Sequence, residues 1–361
     1  MTQSPVLPGH MLCLDDYAQG AKSRVEAGVW AWLEGGSGDL SARKREAEAL
    51  AAHAIVPRVL ADAAGGSTRL RLLGHDLAHP VILAPVGYHA LVHPQGELAT
   101  AAGALDTVLT VSTMASRPVE DIAHVAEGPV WFQLYTQPSR GDTLALIRRA
   151  EAAGCGALMV TLDTPVQPAG LSAMRAGFAM PQGVRAVHLD GITAPAPVAG
   201  HWYNPVLNPL TAAAPTWDDA RWLREVTDLP LIAKGVAHPD DARRLIDLGW
   251  DAVALSTHGG RALAAVAAPL RLLPAMRAAL GPDVPILLDG AIRTGADVFC
   301  ALALGANAVM IGRPQLHALA VGGSLGVAHM LKLLREELEL TMVLAGCPTI
   351  ASITPAALMP V

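Results

Sequence analysis

Aromatic residues make up only 4% of this 361-residue chain, and charged residues only 16%. With so few rings the core has to be built mainly from Ala, Val and Leu; apolar residues of all kinds reach 52%. Little charge and much apolar surface exclude a disordered chain and permit a large buried core. Basic residues are outnumbered 26 to 32, a net charge of −6, and no basic stripe is present, so no nucleic-acid partner is expected. The four cysteines, Cys13, Cys155, Cys300 and Cys347, are scattered without CxxC spacing. That argues against a disulfide framework or a metal site and fits reduced thiols in the cytosol. The N-terminus lacks a basic flank followed by an apolar core, and no apolar run reaches the ~18–20 residues that span a bilayer. A cytoplasmic protein without a membrane partner is the expectation.

What the chain does have is alternation. Eight short, near-continuous apolar runs recur: Val81–Ala84, Val108–Ser112, Val130–Tyr135, Ala157–Leu162, Leu231–Lys234, Ala252–Ser256, Ile286–Asp289 and Ala308–Gly312. Such runs read as parallel strands covered on both faces. Amphipathic stretches lie between them, among them Asp240–Leu248, with an acidic start and Gly249 at its end, and Ala296–Leu304, closed by Gly305. Eight βα repeats predict a single α/β domain over residues 1–361, a closed (β/α)8 TIM barrel. An open nucleotide-binding sheet is the runner-up, but no GxGxxG follows an early strand. Residues 1–75 read as an N-terminal helical extension, and the Pro- and Ala-rich residues 166–217, after the fourth strand, as a mobile lid loop. The polar residues Tyr135, Asp163, Lys234, His258, Asp289 and Arg313 fall at or just beyond strand C-terminal ends. That is the face on which such barrels carry their chemistry.

The run Ser256-Thr257-His258-Gly259-Gly260-Arg261 concentrates that chemistry. Two glycines allow a sharp turn and the close approach of a flat ligand. His258 is suited to accept a proton near neutral pH, and Arg261 offers a fork of donors that matches a carboxylate. Arg293 and Gly312-Arg313 follow the seventh and eighth strands, where barrels often bind phosphate. Surface ion pairs are the alternative for both arginines. For Lys234, at a strand end in an apolar stretch, the alternative is a structural ion pair with a neighbouring carboxylate.

Eight segments in order resemble one family over nearly the whole chain. They are Leu83-Ala84-Pro85, His93-Pro94-Gln95-Gly96-Glu97, Gln133-Leu134-Tyr135, Thr161-Leu162-Asp163-Thr164-Pro165, Lys234-Gly235-Val236, the His258 run, Asp289-Gly290-Ala291-Ile292-Arg293 and Gly312-Arg313-Pro314. Together they are similar to the FMN-dependent α-hydroxy acid oxidases and dehydrogenases, with Tyr88-His89 most like the 4-hydroxymandelate oxidase branch.

The resemblance implies FMN as cofactor and a small-molecule 2-hydroxy acid as substrate, oxidised to the 2-oxo acid. His258 would be the base, Asp163 its orienting carboxylate, Tyr135 a partner of the substrate hydroxyl, and Arg261 the carboxylate clamp. Lys234 would lie beside the flavin ring and stabilise its electron-rich reduced form. Pro85, Val86, Gly87, Ser112, Gln133, Thr161, Ser256, Asp289, Gly290, Arg293, Gly312 and Arg313 would complete the cofactor site. Flavin N5 would receive the electrons, either with a hydride or after carbanion formation, and pass them to oxygen or another acceptor. Homo-oligomers, often tetramers, are implied by analogy.

Departures from the family pattern gather on the carboxylate side. Trp32 stands where a tyrosine is usual, and Gly170 falls where a second carboxylate arginine is expected. Thr257 replaces an asparagine, and Ala262-Leu263-Ala264 a Gln-Leu-Asp. Losing a charge-assisted contact costs about 1.5–3 kcal/mol, tenfold or more in affinity, unless apolar contacts from residues such as Trp32 and Met114 compensate. A bulky, aromatic or hydrophobic substrate is therefore expected. Non-redox chemistry or oxidative decarboxylation, on a related or carboxylate-masked substrate, is the alternative, and a non-catalytic barrel a third reading.

Overall fold

Each of the eight apolar runs forms a strand in the computed structural model, which describes residues 7–168, 170–192 and 214–361. In chain order they are β1 (Val81–Leu83), β2 (Leu109–Ser112), β3 (Val130–Leu134), β4 (Leu158–Thr161), β5 (Leu231–Lys234), β6 (Ala252–Leu255), β7 (Ile286–Asp289) and β8 (Ala308–Ile311). All pair in parallel, and β8 returns to β1 with Val309 opposite Val81 and Ile311 opposite Leu83. The barrel is closed.

Alternation along the strands splits the core in two. Ile82, Trp131, Met159, Ile232, Leu287 and Met310 pack together inside the barrel. Their neighbours, such as Leu83, Phe132, Val160, Leu255 and Leu288, face the surrounding helices. The helix starts are locally encoded. Pro239–Asp247 opens on proline, with His238 accepting from the Asp240 amide; Gly295–Ala303 opens on a capping box of Thr294 and Asp297. Both helices lie one residue before the stretches read from sequence.

The extension over residues 1–75 is helical only in part. Leu14–Lys22, Ala27–Glu34 and Ser41–Ala51 are helices, but His53–Ile55 pairs with the C-terminal strand Leu358–Pro360. Leu70–Leu72 and His75–Leu77 then form a hairpin. Its turn residues, Leu73 and Gly74, both take positive φ, the geometry that suits a two-residue hairpin. Leu72 and Leu77 join the inward-facing cluster and close that end of the barrel, leaving the opposite end open.

The lid expected over 166–217 falls partly on residue 169 and residues 193–213, outside the described residues. The part between them is built rather than featureless: Leu171–Arg175 is helical and Val187–Leu189 forms a 3-10 turn. Buried His188 anchors that turn by accepting the Val119 amide at 2.9 Å. Among the described residues, one helix, Arg313–Ala345, is long and apolar enough to cross a membrane. It breaks at Gly323 and packs Leu316, Leu319, Met330, Leu334 and Leu338 into the core.

Candidate active site

The turns beyond the strand C-termini surround a cavity of about 960 Å³. Three residues here hold positive φ without being glycine: Tyr88 after β1, His258 after β6 and Ala291 after β7. Left-handed backbone at such positions costs free energy, and it recurs where side chains must be aimed at a ligand.

At the centre, His258 Nδ1 lies 2.9 Å from Asp163 Oδ1, and its Nε2 3.1 Å from the Tyr135 hydroxyl. A proton on Nδ1, shared with the carboxylate, leaves Nε2 as the basic nitrogen. Burial lowers the His258 pKa below its ordinary value, and nearby Lys234 lowers it further against the pull of Asp163. The ring is therefore neutral at pH 7. Burial pushes the Asp163 carboxyl up, but Lys234 and His258 outweigh it and hold the group below the usual range. Burial, with Asp163 nearby, raises the Tyr135 pKa, so its hydroxyl keeps its proton.

A second chain of contacts holds the base from behind. The Ser256 hydroxyl accepts from the His258 amide at 2.9 Å and from Lys234 Nζ at 3.1 Å, and donates to Asp289 at 2.8 Å. Lys234 and Asp289 are 3.9 Å apart. Lys234, Asp289, Ser112, Pro85, Val86 and Gly87 line the cavity. Gln133, Thr161, Ser256 and Asp163 do not; they stand behind the wall and brace it. Gln133 accepts from Ser112 and donates to Thr161, so these three satisfy one another. At Gly87 a Cβ would come within 2.8 Å of the Met114 Cβ, so the bare backbone is a packing requirement.

The far end of the cavity is cationic. Arg293, Gly312, Arg313 and Arg43 line it. Burial lowers the Arg313 pKa to about 9, and neighbouring Arg43, Arg261 and Arg293 add repulsion. The nearest acid, Glu34, is already bonded to Arg43 and His317, both at 2.9 Å. Four crowded, buried or half-buried guanidinium groups outnumber the two acids among them, Glu34 and Glu46, and are suited to a dianion. An FMN phosphate fits there, with Lys234 at the opposite end for the ring.

On the third side the sequence expectations need amendment. Arg261 donates from Nη2 to the Trp32 and Leu33 carbonyls, at 2.7 and 2.8 Å, and its guanidinium lies 4.9 Å from the Trp32 ring centre. Arg313 likewise bonds the Leu33, Gly35 and Gly259 carbonyls. Two arginines expected to face ligands also cap one helix end, Ala27–Glu34, where the carbonyls lack partners. Trp32 in turn stacks on Phe178, ring centres 5.8 Å apart, and meets Tyr88 edge-on at 6.0 Å. Gly170 lines the cavity together with Met114, Met174 and Phe178. A Cβ on Gly170 would meet only Ala173, at 3.9 Å, so the missing side chain leaves open space. Phe178, Met174, Arg43 and Glu46 were not expected here; each sits on an element that reaches the cavity only through tertiary packing.

A model of the FMN-dependent dehydrogenase family matches residues 21–360. The chain belongs to this family. An L-lactate oxidase of Alicycliphilus denitrificans is 46% identical over 366 residues, covering 100% of both chains. A 4-hydroxymandelate oxidase of Amycolatopsis orientalis is 38% identical, covering 94% of this chain and 96% of that one. Among solved structures, mandelate oxidase with (S)-2-phenylpropionate superposes with a TM-score of 0.86 at 38% identity, over 95% and 96% of the two chains. As a family member the protein uses FMN.

Proposed function

We propose that this protein oxidises a bulky 2-hydroxy acid to the 2-oxo acid, with oxygen as final acceptor. The observation that carries this reading is His258, fixed by Asp163, with Nε2 beside the Tyr135 hydroxyl at the cavity. In this scheme Nε2 takes the substrate hydroxyl proton, Asp163 stabilises the imidazolium that results, and Tyr135 hydrogen-bonds the oxygen. Arg261 holds one side of the carboxylate. Bound FMN would supply the acceptor for the hydrogen that leaves the α-carbon with its electron pair, as a hydride. Arg293 and Arg313 would hold its phosphate, and Lys234 would place positive charge beside its ring.

The substrate side supports bulk. Trp32, Tyr88, Phe178, Met114 and Met174 offer an apolar surface, and Gly170 contributes space in place of charge. The test is anaerobic bleaching of the flavin spectrum by mandelate, 4-hydroxymandelate, phenyllactate, lactate and glycolate. We expect the aromatic acids to reduce it fastest; faster reduction by lactate than by any aromatic acid would overturn the bulky-substrate assignment. Four unpaired cysteines support placing the protein in a reducing compartment, the cytosol. Exposed Leu340, Val343 and Leu344 support self-association, which light scattering would check.

A further inference from the structure

Glu46 is a buried carboxyl group for which the chemistry above has no use. It sits on the helix Ser41–Ala51, is 5% exposed, and lines the same cavity as Arg293, Gly312 and Arg313. Oε1 accepts a hydrogen bond from the Thr257 hydroxyl. Oε2 has no hydrogen-bond partner among the described residues. The carboxyl group is wedged against Gly290, where a Cβ would come within 2.9 Å of its Cδ. No other residue type could stand at 290 without displacing it.

The groups around Glu46 come from five elements. Arg43 and Lys44 lie on its own helix, and Glu34 reaches in from the preceding helix to pair with Arg43. Thr257 and His258 come from the turn after β6. Asp289, itself near Lys234, ends β7, and Arg293 comes from the turn beyond it. Arg313 comes from the turn after β8. Glu46 is thus an acid placed between a second acid and the arginines fitted for a phosphate. A dianion arriving there brings two negative charges toward a carboxylate that has little water to screen it.

We propose that Glu46 is a proton-accepting element of the cofactor site: it binds one proton when the FMN phosphate enters and releases it when FMN leaves. The balance is simple. Ionised Glu46, a proton and the phosphate dianion become neutral Glu46 beside a phosphate held by Arg293 and Arg313. Neutral Glu46 also gains an O–H donor, which an anion's acceptor oxygens tolerate where a second negative charge repels them. Burial is the main reason the group is ready to take a proton: it raises the Glu46 pKa to about 7, with Asp289 adding to the effect and Thr257, Arg313 and Arg43 opposing it.

The direction of the pH dependence follows. Below that pKa Glu46 is already protonated and FMN binding costs no proton. Above it each binding event must take one up, so the FMN Kd rises by up to about tenfold per pH unit. The phosphate itself loses its last proton near pH 6, so measurements from pH 7 to 9 isolate Glu46. The experiment dilutes the FMN-loaded enzyme across that range and reads released flavin by its fluorescence. We expect the wild-type Kd to climb by at least tenfold and that of Glu46→Gln to stay within about twofold. Parallel climbs in the two proteins overturn the proposal. A level wild-type curve overturns it without any variant, and Glu46→Ala repeats the comparison if the Gln variant does not fold. The readout is cofactor retention, so its failure is separate from any failure of the substrate assignment.

Discussion

The two walls of the cavity are built by opposite means. On the base side His258, Asp163, Ser256, Lys234 and Asp289 form a continuous polar network, each group placed by a strand end and bonded to the next. On the carboxylate side Trp32, Tyr88 and Phe178 pack ring against ring, and the one facing cation, Arg261, spends an amino group on helix carbonyls. The base wall is held by hydrogen bonds between its members, with Asp163 Oδ2 left without a partner among the described residues. The other wall is shaped by apolar volume, which a few substitutions can redraw. On the function proposed above, reaction type belongs to the first and substrate range to the second.

That contrast can be broken most severely at the base. His258→Ala should lower kcat by at least a hundredfold, within the 10²–10⁴ that general bases contribute, while the bleached-and-reoxidised protein keeps its flavin colour. Steady-state turnover with an absorbance check of bound flavin measures both. The next largest effect adds charge to the apolar wall. Gly170→Arg enters open space, and one charge-assisted contact gives about 1.5–3 kcal/mol. KM for lactate and glycolate should fall by tenfold or more, with aromatic acids gaining less. An unchanged KM for both small acids would show that position 170 does not face the carboxylate. The smallest effect removes apolar volume: Trp32→Ala should raise KM for mandelate several-fold and leave glycolate nearly unchanged, as competition assays between the two acids would show. Equal losses for both would mean that Trp32 acts through Arg261 instead of touching substrate.

The same division explains what could be read from the sequence. The strands were legible because parallel strands buried on both faces need unbroken apolar runs, and β1–β8 each supply one. His258, Asp163 and Lys234 were legible because they interrupt such runs at their ends. The hairpin over 70–77 was not, because three-residue strands give too short a period to separate from a helical preface. Nor were the contacts of Arg261 and Arg313 with carbonyls at residues 32–35, more than two hundred residues away in the chain. Glu46 lies in Ser-Ala-Arg-Lys-Arg-Glu, which reads as the solvated face of a helix. Only its packing against Gly290 and Thr257 takes it out of water.

The contact between Gly87 and Met114 also constrains the order in which this site can change. Any side chain at position 87 collides with the backbone and Cβ of Met114, atoms that every residue but glycine carries in full. Shortening Met114 to alanine leaves that Cβ in place and opens nothing. A lineage that gains a methyl group at 87 must first shift the turn after β2 or install glycine at 114, and in doing so gives up an apolar contact of the substrate wall. The wall beside the cofactor and the width of the substrate pocket are therefore inherited together.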